Sequence, residues 1–270
     1  MIVNKLNQLR DILRSMDRVT VAVSGGVDSM TLAYVAHQTL GHHATMVHAK
    51  SPAVPEADTA AIQQHAQEQG WQLQFIQTGE FEDSNYLSNP VNRCYFCKSC
   101  LYTSLTKLDS GQVISGTNTD DLSDYRPGLI AAKEHDIRHP FVEAEIDKQT
   151  IRAIAAHLGL KQLSVKPASP CLASRVETGV RIEPKQLTLI NDIESQVRNQ
   201  VRAENIRCRI AAHQLELQID ASVLNALPQQ TVRSIETEVN KMVSQAGISL
   251  PVAIGPYIRG SAFLRDNQNE

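Results

Sequence analysis

The sequence predicts an α/β protein with a doubly wound parallel sheet and a smaller C-terminal α+β domain. From residue 1 to about 165, short apolar runs alternate with amphipathic stretches, which is the pattern of repeated βα units. Beyond residue 180 the order changes to helix, hairpin, helix and strand, which is typical of a small α+β module. We therefore place the first domain at residues 1–165 and the second at residues 180–270. The loop that contains Cys171 joins them.

The strands are predicted from short runs of β-branched residues, and the helices from apolar residues repeated every three or four positions. The first-domain strands are expected at Val19–Val23, Ala44–Ala49, Leu73–Thr78 and Val113–Ser115, with a short one near Arg138–Pro140. Its helices are expected around Leu6–Leu13 and at Ser29–Leu40, Glu56–Gln69, Lys98–Leu108 and Lys148–Leu158. The second domain is expected to contain helices at Pro184–Gln200 and Gln229–Ala246, hairpin strands at Arg207–Ile210 and Leu215–Ile219, and a strand at Pro251–Tyr257.

The composition limits the class of protein. The 270 residues are 42% hydrophobic, 20% charged and 4% aromatic, with a formal net charge of −3. These values are typical of a folded globular chain, and the negative net charge argues against stable nucleic-acid binding. The sequence has neither an apolar stretch of membrane-spanning length nor a cationic leader, so we expect a cytoplasmic protein without membrane association.

The clearest functional motif follows the first strand and reads Val-Ser-Gly-Gly-Val-Asp-Ser at residues 23–29. Its two glycines allow a tight turn in which backbone N–H groups and the helix N-terminus converge on an anion. Ser24 and Ser29 add hydroxyl donors, and Asp28 is placed to help hold magnesium against phosphate. The Gly-Lys-Ser/Thr ending of a Walker loop is absent. The motif instead resembles the PP-loop of the ATP pyrophosphatase superfamily, whose members cleave ATP between the α and β phosphates.

A second glycine-containing element, residues 115–122, follows the strand at Val113. Small residues there allow close approach of a nucleotide, and Asp120 and Asp121 are candidates to orient magnesium. The same sequence is also typical of a simple turn and helix cap. The nucleotide interpretation is favoured because this strand is expected beside the strand that precedes the glycine loop.

Three of the five cysteines are clustered, at Cys94, Cys97 and Cys100. In a reducing compartment this spacing favours metal binding or catalysis over disulfides. Cys94 and Cys97 are one helical turn apart, so both sulfur atoms can point to one side. Together with a distant third cysteine they are compatible with zinc, a redox dithiol or an iron–sulfur cluster.

The remaining cysteines have different surroundings. Cys171 lies in a loop stiffened by prolines, where Lys166 and Arg175 favour the nucleophilic thiolate. Cys208 lies between Arg207 and Arg209 on a predicted strand and is expected to be a small inward-facing apolar residue. The two arginines, two positions apart, are expected on one side of that strand.

Four motifs occur here in the order found in one enzyme family: Ser-Gly-Gly-Val-Asp-Ser, Asn-Arg-Cys-Tyr-Phe-Cys-Lys, Gly-Thr-Asn-Thr-Asp-Asp-Leu-Ser-Asp-Tyr-Arg-Pro-Gly and Lys-Pro-Ala-Ser-Pro-Cys-Leu-Ala-Ser-Arg. Over residues 8–260 or so the chain resembles the LarE family, the sulfur-insertion enzymes of nickel-pincer nucleotide biosynthesis that serve lactate racemase. The motif around Cys171 is the most specific part of the likeness, because PP-loop proteins at large do not share it.

The resemblance implies a role for each motif. The residues implied to bind the ATP pyrophosphate are Ser24, Gly25, Gly26, Val27, Asp28 and Ser29. Lys98 would neutralise phosphate charge, and Asp28 would assist Mg²⁺. The adenosine contacts implied by the resemblance are Ala49, Lys50, Ser51, Gly116 and Thr117. Arg207 and Arg209 would bind the phosphate of the substrate.

The resemblance also implies the reaction. ATP would adenylylate a carboxylate of a pyridinium dicarboxylate mononucleotide, and sulfur delivered through Cys171 would form a thiocarboxylate. Some family members sacrifice the sulfur of a single cysteine. Others carry three cysteines that resemble the ligands of a [4Fe-4S] cluster, and this sequence matches them through Cys94, Cys97 and Cys171. Cys100 departs from that pattern. A homo-oligomer and a sulfur-donor protein are further implied partners.

Two other enzyme classes and a non-catalytic nucleotide sensor stay open. A tRNA thiolation enzyme also joins a PP-loop to Cys-X-X-Cys and a third cysteine, but it should show a basic surface with stacking aromatics. An ammonia-dependent amide synthetase, such as NAD synthetase, would use the loop and leave the cysteines structural. The presence of iron and labile sulfide would separate the LarE-like enzyme and the tRNA thiolation enzyme from the other two readings. Binding of tRNA would then separate the tRNA thiolation enzyme from the LarE-like enzyme.

Overall fold

The structure is a computed structural model that describes residues 2–123 and 126–264. Asp124 and Tyr125 of the Gly-Thr-Asn motif, and the last six residues of the predicted second domain, lie outside the described residues. The chain forms two compact units. One comprises the residues up to Glu80 together with Cys94–Ser169, and the other comprises Phe81–Arg93 and the residues from Pro170 onward.

The helices and strands of the described residues are as follows. The helices in chain order are α1 (Ile2–Arg14), α2 (Val27–Leu40), α3 (Glu56–Gln69), α4 (Ser84–Leu87), α5 (Arg93–Thr106), α6 (Gly128–Glu134), α7 (Pro140–Glu143), α8 (Lys148–His157), α9 (Lys161–Ser164), α10 (Pro184–Gln200), α11 (Ala221–Ala226) and α12 (Gln229–Gln245). The strands are β1 (Val19–Ala22), β2 (Ala44–Ala49), β3 (Gln72–Ile76), β4 (Gln112–Ile114), β5 (Ile206–Ile210), β6 (Leu215–Ile219) and β7 (Val252–Pro256).

The first unit contains the predicted parallel sheet, with strand order β3-β2-β1-β4. In register, Val19 of β1 lies opposite Ala44 of β2 and opposite Gln112 of β4. Successive side chains of a strand point to opposite faces of the sheet, so other elements must pack against each face to bury its apolar side chains. One buried cluster joins Val19 and other strand residues to α1, α2 and α8, and a second joins Val47 and Val113 to α5 and α6. Helices therefore flank both faces of the sheet, as the sequence predicts.

Two first-unit elements differ from expectation. The predicted helix at Lys98–Leu108 begins five residues earlier, at Arg93, whose N–H donates to the carbonyl of Pro90 at 2.9 Å. This start places the whole Cys-X-X-Cys motif on α5. The predicted strand near Arg138 is a single bridge between Ile114 and Arg138, because Pro140 begins α7. Proline has the φ angle of a first helical residue and has no N–H to donate to a strand.

The second unit contains a three-stranded mixed sheet in the order β5-β6-β7. The predicted hairpin is confirmed, since β5 and β6 are antiparallel, and β7 then adds parallel to β6. Cys208 is fully buried on β5, as expected of a small apolar residue, and burial raises the pKa of its thiol well above the ordinary value. Ile190 of α10 and Val239 of α12 are also buried.

A buried asparagine explains why residues 81–93 group with the second unit, although the sequence analysis counted them in the first domain. Asn89 is fully buried with φ 54°, and its side-chain amide donates to the carbonyls of Glu177 and Val180 at 2.8 and 3.0 Å. Its side-chain oxygen accepts from Arg93, which also donates to the carbonyl of Ala173 at 3.1 Å. Without these hydrogen bonds the buried polar groups would lower the stability of the fold, so the bonds hold Asn89 and Arg93 to residues 173–180.

Among the described residues, no helix has both the length and the apolar character needed to cross a membrane.

Candidate active site

The glycine loop connects the end of β1 to the start of α2. Gly25 has φ +79°, a left-handed conformation that favours glycine, and a Cβ atom there would lie 3.3 Å from the Cβ of Asp58. The hydroxyl of Ser29 accepts the N–H of Ser24 at 3.1 Å and donates to the carbonyl of Gly26 at 3.2 Å. These bonds hold the loop tightly wound over the N-terminus of α2, which is the arrangement expected of an anion-binding turn.

Asp28 lies in the first turn of α2 and forms an ion pair with Lys148 through Oδ2. Its other oxygen, Oδ1, is buried and has no hydrogen-bond partner among the described residues. Burial raises the pKa of the Asp28 carboxyl, and the hydrogen bond and charge of Lys148 oppose that effect. A buried carboxylate oxygen without a partner has the chemistry of a ligand for a hard cation, so the residues present fit Mg²⁺.

Gly116 brings the second glycine element against the same helix terminus. A Cβ atom at Gly116 would lie 2.7 Å from the backbone nitrogen of Ser29 and 2.9 Å from the carbonyl carbon of Asp28. The hydroxyls of Ser115 and Thr117 are 3.1 Å apart and can hydrogen-bond. Glycine is thus required by a close approach, and the two motifs predicted to share a site do lie together.

The two aspartates that follow have structural partners. Asp120 accepts the backbone N–H of Lys148 at 3.1 Å, and Asp121 accepts that of Asn118 at the same distance. Asp121 also pairs with Arg126 at 2.8 Å. These contacts tie the short 3₁₀ turn at residues 119–123 to the start of α8. They position Lys148 beside the glycine loop.

The residues implied for adenosine lie at the carboxyl end of β2. Ala49 is the last residue of that strand, and the hydroxyl of Ser51 accepts the N–H of Ala53 at 3.2 Å. The ammonium of Lys50 lies 4.0 Å from the centre of the Phe75 ring, within cation–π range. The carboxyl ends of parallel strands form one edge of a sheet, where ligands of such folds bind. Residues 23–29, 49–51 and 116–117 all lie at that edge.

Lys98 lies on α5, and its described neighbours include Tyr102 on the same helix, whose ring centre lies 5.8 Å from the Lys98 ammonium. A Cβ atom at Gly128 would lie 2.9 Å from Cγ of Lys98. Burial lowers the pKa of His139, with a smaller contribution from the charge of Lys98, and Nδ1 of His139 lies 2.9 Å from the hydroxyl of Ser115. The structure thus places Lys98 near the residues after β4.

The cysteines of the proposed ligand set are thiols without disulfides. Cys94 is exposed, and Cys97 and Cys100 are half-buried on α5. Cys171 is exposed and immediately precedes a 3₁₀ turn at Leu172–Arg175. Cys94 and Cys97 belong to the first unit and Cys171 to the second. In the part of the chain that the structure describes, no three His, Cys, Asp or Glu side chains are grouped so as to hold a metal ion.

The basic neighbours of Cys171 have other partners. The Arg175 guanidinium is buried and binds both carboxylate oxygens of Glu194, at 2.9 and 3.0 Å, and it donates to the carbonyl of Cys171 at 3.1 Å. Burial alone would raise the pKa of Glu194, but the hydrogen bonds and charge of Arg175 lower it. Lys166 pairs with Asp58 at 2.9 Å. These charges fix the backbone on either side of Cys171.

Arg207 and Arg209 lie on one side of β5, as their spacing predicts. The Arg209 guanidinium donates to Oε1 of Gln218 at 2.7 Å and to the carbonyl of Ile258 at 3.1 Å. Burial lowers the pKa of both arginines, and repulsion from the nearby Arg175 adds to the effect. The charge of Glu194 opposes this lowering for both arginines, and that of Glu216 opposes it for Arg209.

Sequence reasoning missed three residues of this arrangement: Lys148, Asp58 and Glu194. Lys148 was noted only as the start of a helix, and Glu194 only as part of one. A lysine or carboxylate on a helix carries no local signal of a buried partner. The partner of Lys148 is 120 residues away along the chain.

Comparison with known proteins identifies relatives, although no protein-family model matches the sequence. The chain is 41% identical to an uncharacterized protein of Synechocystis over 213 residues, covering 76% of this chain and 79% of the other. It is 29% identical to an uncharacterized protein of Methanocaldococcus jannaschii over 200 residues, covering 73% and 75% of the two chains.

A third relative has a stated activity. This protein of Lactiplantibacillus plantarum is named pyridinium-3,5-bisthiocarboxylic acid mononucleotide synthase. The two chains are 30% identical over 192 residues, which is 69% of each. With this identity and coverage, the chain belongs to the family of pyridinium-3,5-bisthiocarboxylic acid mononucleotide synthase, the LarE family.

Proposed function

We propose that this protein is an ATP-dependent sulfur transferase of nickel-pincer nucleotide biosynthesis. In this proposal it adenylylates a carboxylate of a pyridinium mononucleotide and replaces the activated oxygen with sulfur. The observation that carries the proposal is the junction of the glycine loop, Gly116 and the partly unpartnered Asp28 at the N-terminus of α2. The name of the L. plantarum relative states the product class.

The first half-reaction would occur at the glycine loop. A carboxylate oxygen of the substrate attacks the α-phosphorus of ATP, the bond to the bridging oxygen breaks, and pyrophosphate leaves. The N–H groups of the loop and the ammonium of Lys148 would stabilise charge on the departing pyrophosphate. Asp28 would hold Mg²⁺ through its free oxygen, and bound Mg²⁺ neutralises phosphate charge. Lys98 would neutralise further phosphate charge, and Ala49, Ser51 and Thr117 would contact the adenosine.

In the second half-reaction a nucleophilic sulfur at the sulfide oxidation level attacks the carbonyl carbon of the acyl adenylate, and the bond between that sulfur and its carrier breaks. The carbon–oxygen bond to AMP breaks, AMP leaves, and a thiocarboxylate remains. We assign delivery of this sulfur to Cys171, which is exposed on a backbone fixed by Arg175. Arg207 and Arg209 would bind the phosphate of the mononucleotide, since a guanidinium donates strong charged hydrogen bonds to phosphate oxygens.

We further propose that Cys94, Cys97 and Cys171 would hold a [4Fe-4S] cluster, which when bound supplies a carrier for the transferable sulfur. Residues close to Cys94 and Cys171 in the sequence are joined by one contact within the second unit. Arg93, the residue before Cys94, donates to the carbonyl of Ala173, two residues after Cys171. The donor set is chemically suitable, because thiolates are the usual ligands of such clusters. We also propose that the protein is cytoplasmic, that it forms a homo-oligomer and that it receives sulfur from a donor protein.

The ATP half is tested by pyrophosphate release in the presence of Mg²⁺, ATP and the pyridinium dicarboxylate mononucleotide. Asp28→Asn should abolish release, whereas Asp11→Asn, an exposed carboxylate on α1, should leave it unchanged. Mass spectrometry of the products should detect a thiocarboxylate. Orthophosphate as the first product, or thiolation of tRNA in place of the mononucleotide, would overturn the assignment.

The sulfur half is tested by anaerobic purification and substitution of single cysteines. Replacing Cys94, Cys97 or Cys171 with serine should remove both iron and activity, whereas Cys100→Ser should retain both. If activity depends on Cys171 alone, stops after one turnover and lowers the protein mass by hydrogen sulfide, Cys171 is a sacrificial donor and the cluster proposal is wrong.

A further inference from the structure

The segment between Lys166 and Ser169, which leads to Cys171, is anchored to a single buried carboxylate. Lys166 donates to Oδ1 of Asp58 at 2.9 Å, and the hydroxyl of Ser169 donates to Oδ2 at 3.0 Å. Asp58 is only 8% exposed, so both of its oxygens are satisfied by the segment. Side chains 108 and 111 residues distant from Asp58 thus meet at one group.

The same contacts reach the glycine loop. The ammonium of Lys166 also donates to the carbonyl of Gly25 at 2.9 Å, so it bridges Asp58 and the loop. Asp58 itself packs against Gly25, since a Cβ atom added at Gly25 would lie 3.3 Å from the Cβ atom of Asp58. A movement of the backbone at Gly25 must therefore alter the bonds that hold Lys166.

The first turn of α3, which carries Asp58, is also fixed on a second side. The next residue, Thr59, lies 2.9 Å from Nε2 of His48, and Nδ1 of His48 lies 2.8 Å from the carbonyl of Val23. A carbonyl only accepts, so Nδ1 carries the proton and Nε2 accepts from the Thr59 hydroxyl. The turn is thus joined to the glycine loop at both its beginning and its middle.

We propose that Asp58 is a positioning residue that couples the glycine loop to the segment ending at Cys171. Binding of a nucleotide phosphate at the loop orders the carbonyl of Gly25, and Lys166 and Asp58 transmit this order to Ser169. The proposal rests on the proposed function, because it gives the coupling a purpose: binding of ATP strengthens the hold on the segment that leads to Cys171. The ammonium of Lys166 contacts both the loop and Asp58, so a change at one of them acts directly on the bond to the other.

The anchoring is tested without activity, by thermolysin cleavage of the native protein within residues 164–172, located by mass spectrometry. Asp58→Asn retains the shape of the side chain and should raise the cleavage rate about tenfold, because local opening exposes the segment. Ser169→Ala, at an exposed position, should raise it less. Glu56→Gln removes an exposed charge from the same turn of α3 and is the matched control, with no expected change. Equal cleavage rates in Asp58→Asn and Glu56→Gln overturn the anchor.

The coupling is tested by adding Mg²⁺ and an ATP analogue with a methylene group between the α and β phosphates. The analogue should slow cleavage of the wild-type segment and should have no effect on that of Asp58→Asn. With substrates, Ser169→Ala should slow thiocarboxylate formation about tenfold while pyrophosphate release stays within about twofold of wild type. Asp58→Glu retains the carboxylate and should therefore form thiocarboxylate faster than Asp58→Asn.

Two results separate this proposal from the proposed function. If equilibrium dialysis detects no binding of the analogue to the wild-type protein, the ATP assignment falls and the coupling falls with it, whereas the anchor is still judged by cleavage without nucleotide. If the analogue binds but protects wild type and Asp58→Asn equally, or if Ser169→Ala slows both half-reactions alike, the coupling is wrong and the ATP assignment stands.

Discussion

Substitution of Gly116 with alanine should separate the geometry of the nucleotide site from the stability of the fold. The added Cβ atom would lie 2.7 Å from the nitrogen of Ser29, where ordinary contact begins at 3.4 Å, so one backbone must move by about 0.7 Å. Gly116 does not have a left-handed φ, so the expected cost is steric and not conformational. The atoms it meets are backbone atoms of the anion-binding helix terminus, which cannot rotate away.

The magnitude follows from these contacts. Overpacking of a tight site costs about 1–3 kcal/mol, and here the displaced groups are those proposed to face the ATP phosphates. We expect the dissociation constant for Mg·ATP to rise at least about tenfold, which corresponds to about 1.4 kcal/mol. Calorimetric titration measures the affinity, and urea unfolding measures the stability of the same variant.

Gly70→Ala provides the matched control. Gly70 ends α3 with φ +64°, and a Cβ atom there would meet nothing within 4 Å. Alanine at Gly70 should therefore cost about 1 kcal/mol of stability through its left-handed backbone and leave ATP affinity unchanged. If Gly116→Ala binds Mg·ATP within twofold of wild type, or if Gly70→Ala weakens binding equally, the close approach at Gly116 does not shape the nucleotide site.

Three further predictions follow from the charges of the two units. Glu194→Gln should lower the free energy of unfolding by about 3–5 kcal/mol, because it leaves a buried guanidinium without its counter-charge; a loss below about 1 kcal/mol in urea unfolding would contradict this. Burial lowers the pKa values of His48 and His139, so the unfolded chain takes up protons first as the pH falls. The free energy of unfolding should therefore decline as the pH falls below about 6.5, the ordinary pKa of histidine. The urea midpoint should fall between about pH 7.5 and 5.5, and in His48→Gln it should fall less over the same range. Arg207→Ala and Arg209→Ala should each raise the KM for the mononucleotide by the equivalent of about 1.5–3 kcal/mol without changing ATP affinity, and equal weakening of ATP would place β5 in the nucleotide site.

Local patterns in the sequence determined where the helices and strands of each unit lie. Apolar runs predicted the strands of the parallel sheet, and the period of three to four residues predicted α3 and α10 at the observed bounds. The glycine loop was recognisable because its turn, its hydroxyls and its helix start are consecutive in the chain. Such features depend on neighbouring residues alone, and hydrophobic periodicity records which face of each element is buried.

Tertiary structure decided which distant side chains complete the site. The pairing of Asp28 with Lys148, the capture of Lys166 and Ser169 by Asp58, and the bonds of Asn89 to residues 176–180 all join positions far apart in the chain. A carboxylate on a helix has the same local pattern whether it faces water or a buried ammonium. The difference arises only when packing removes water from the group, because desolvation then makes its partner obligatory.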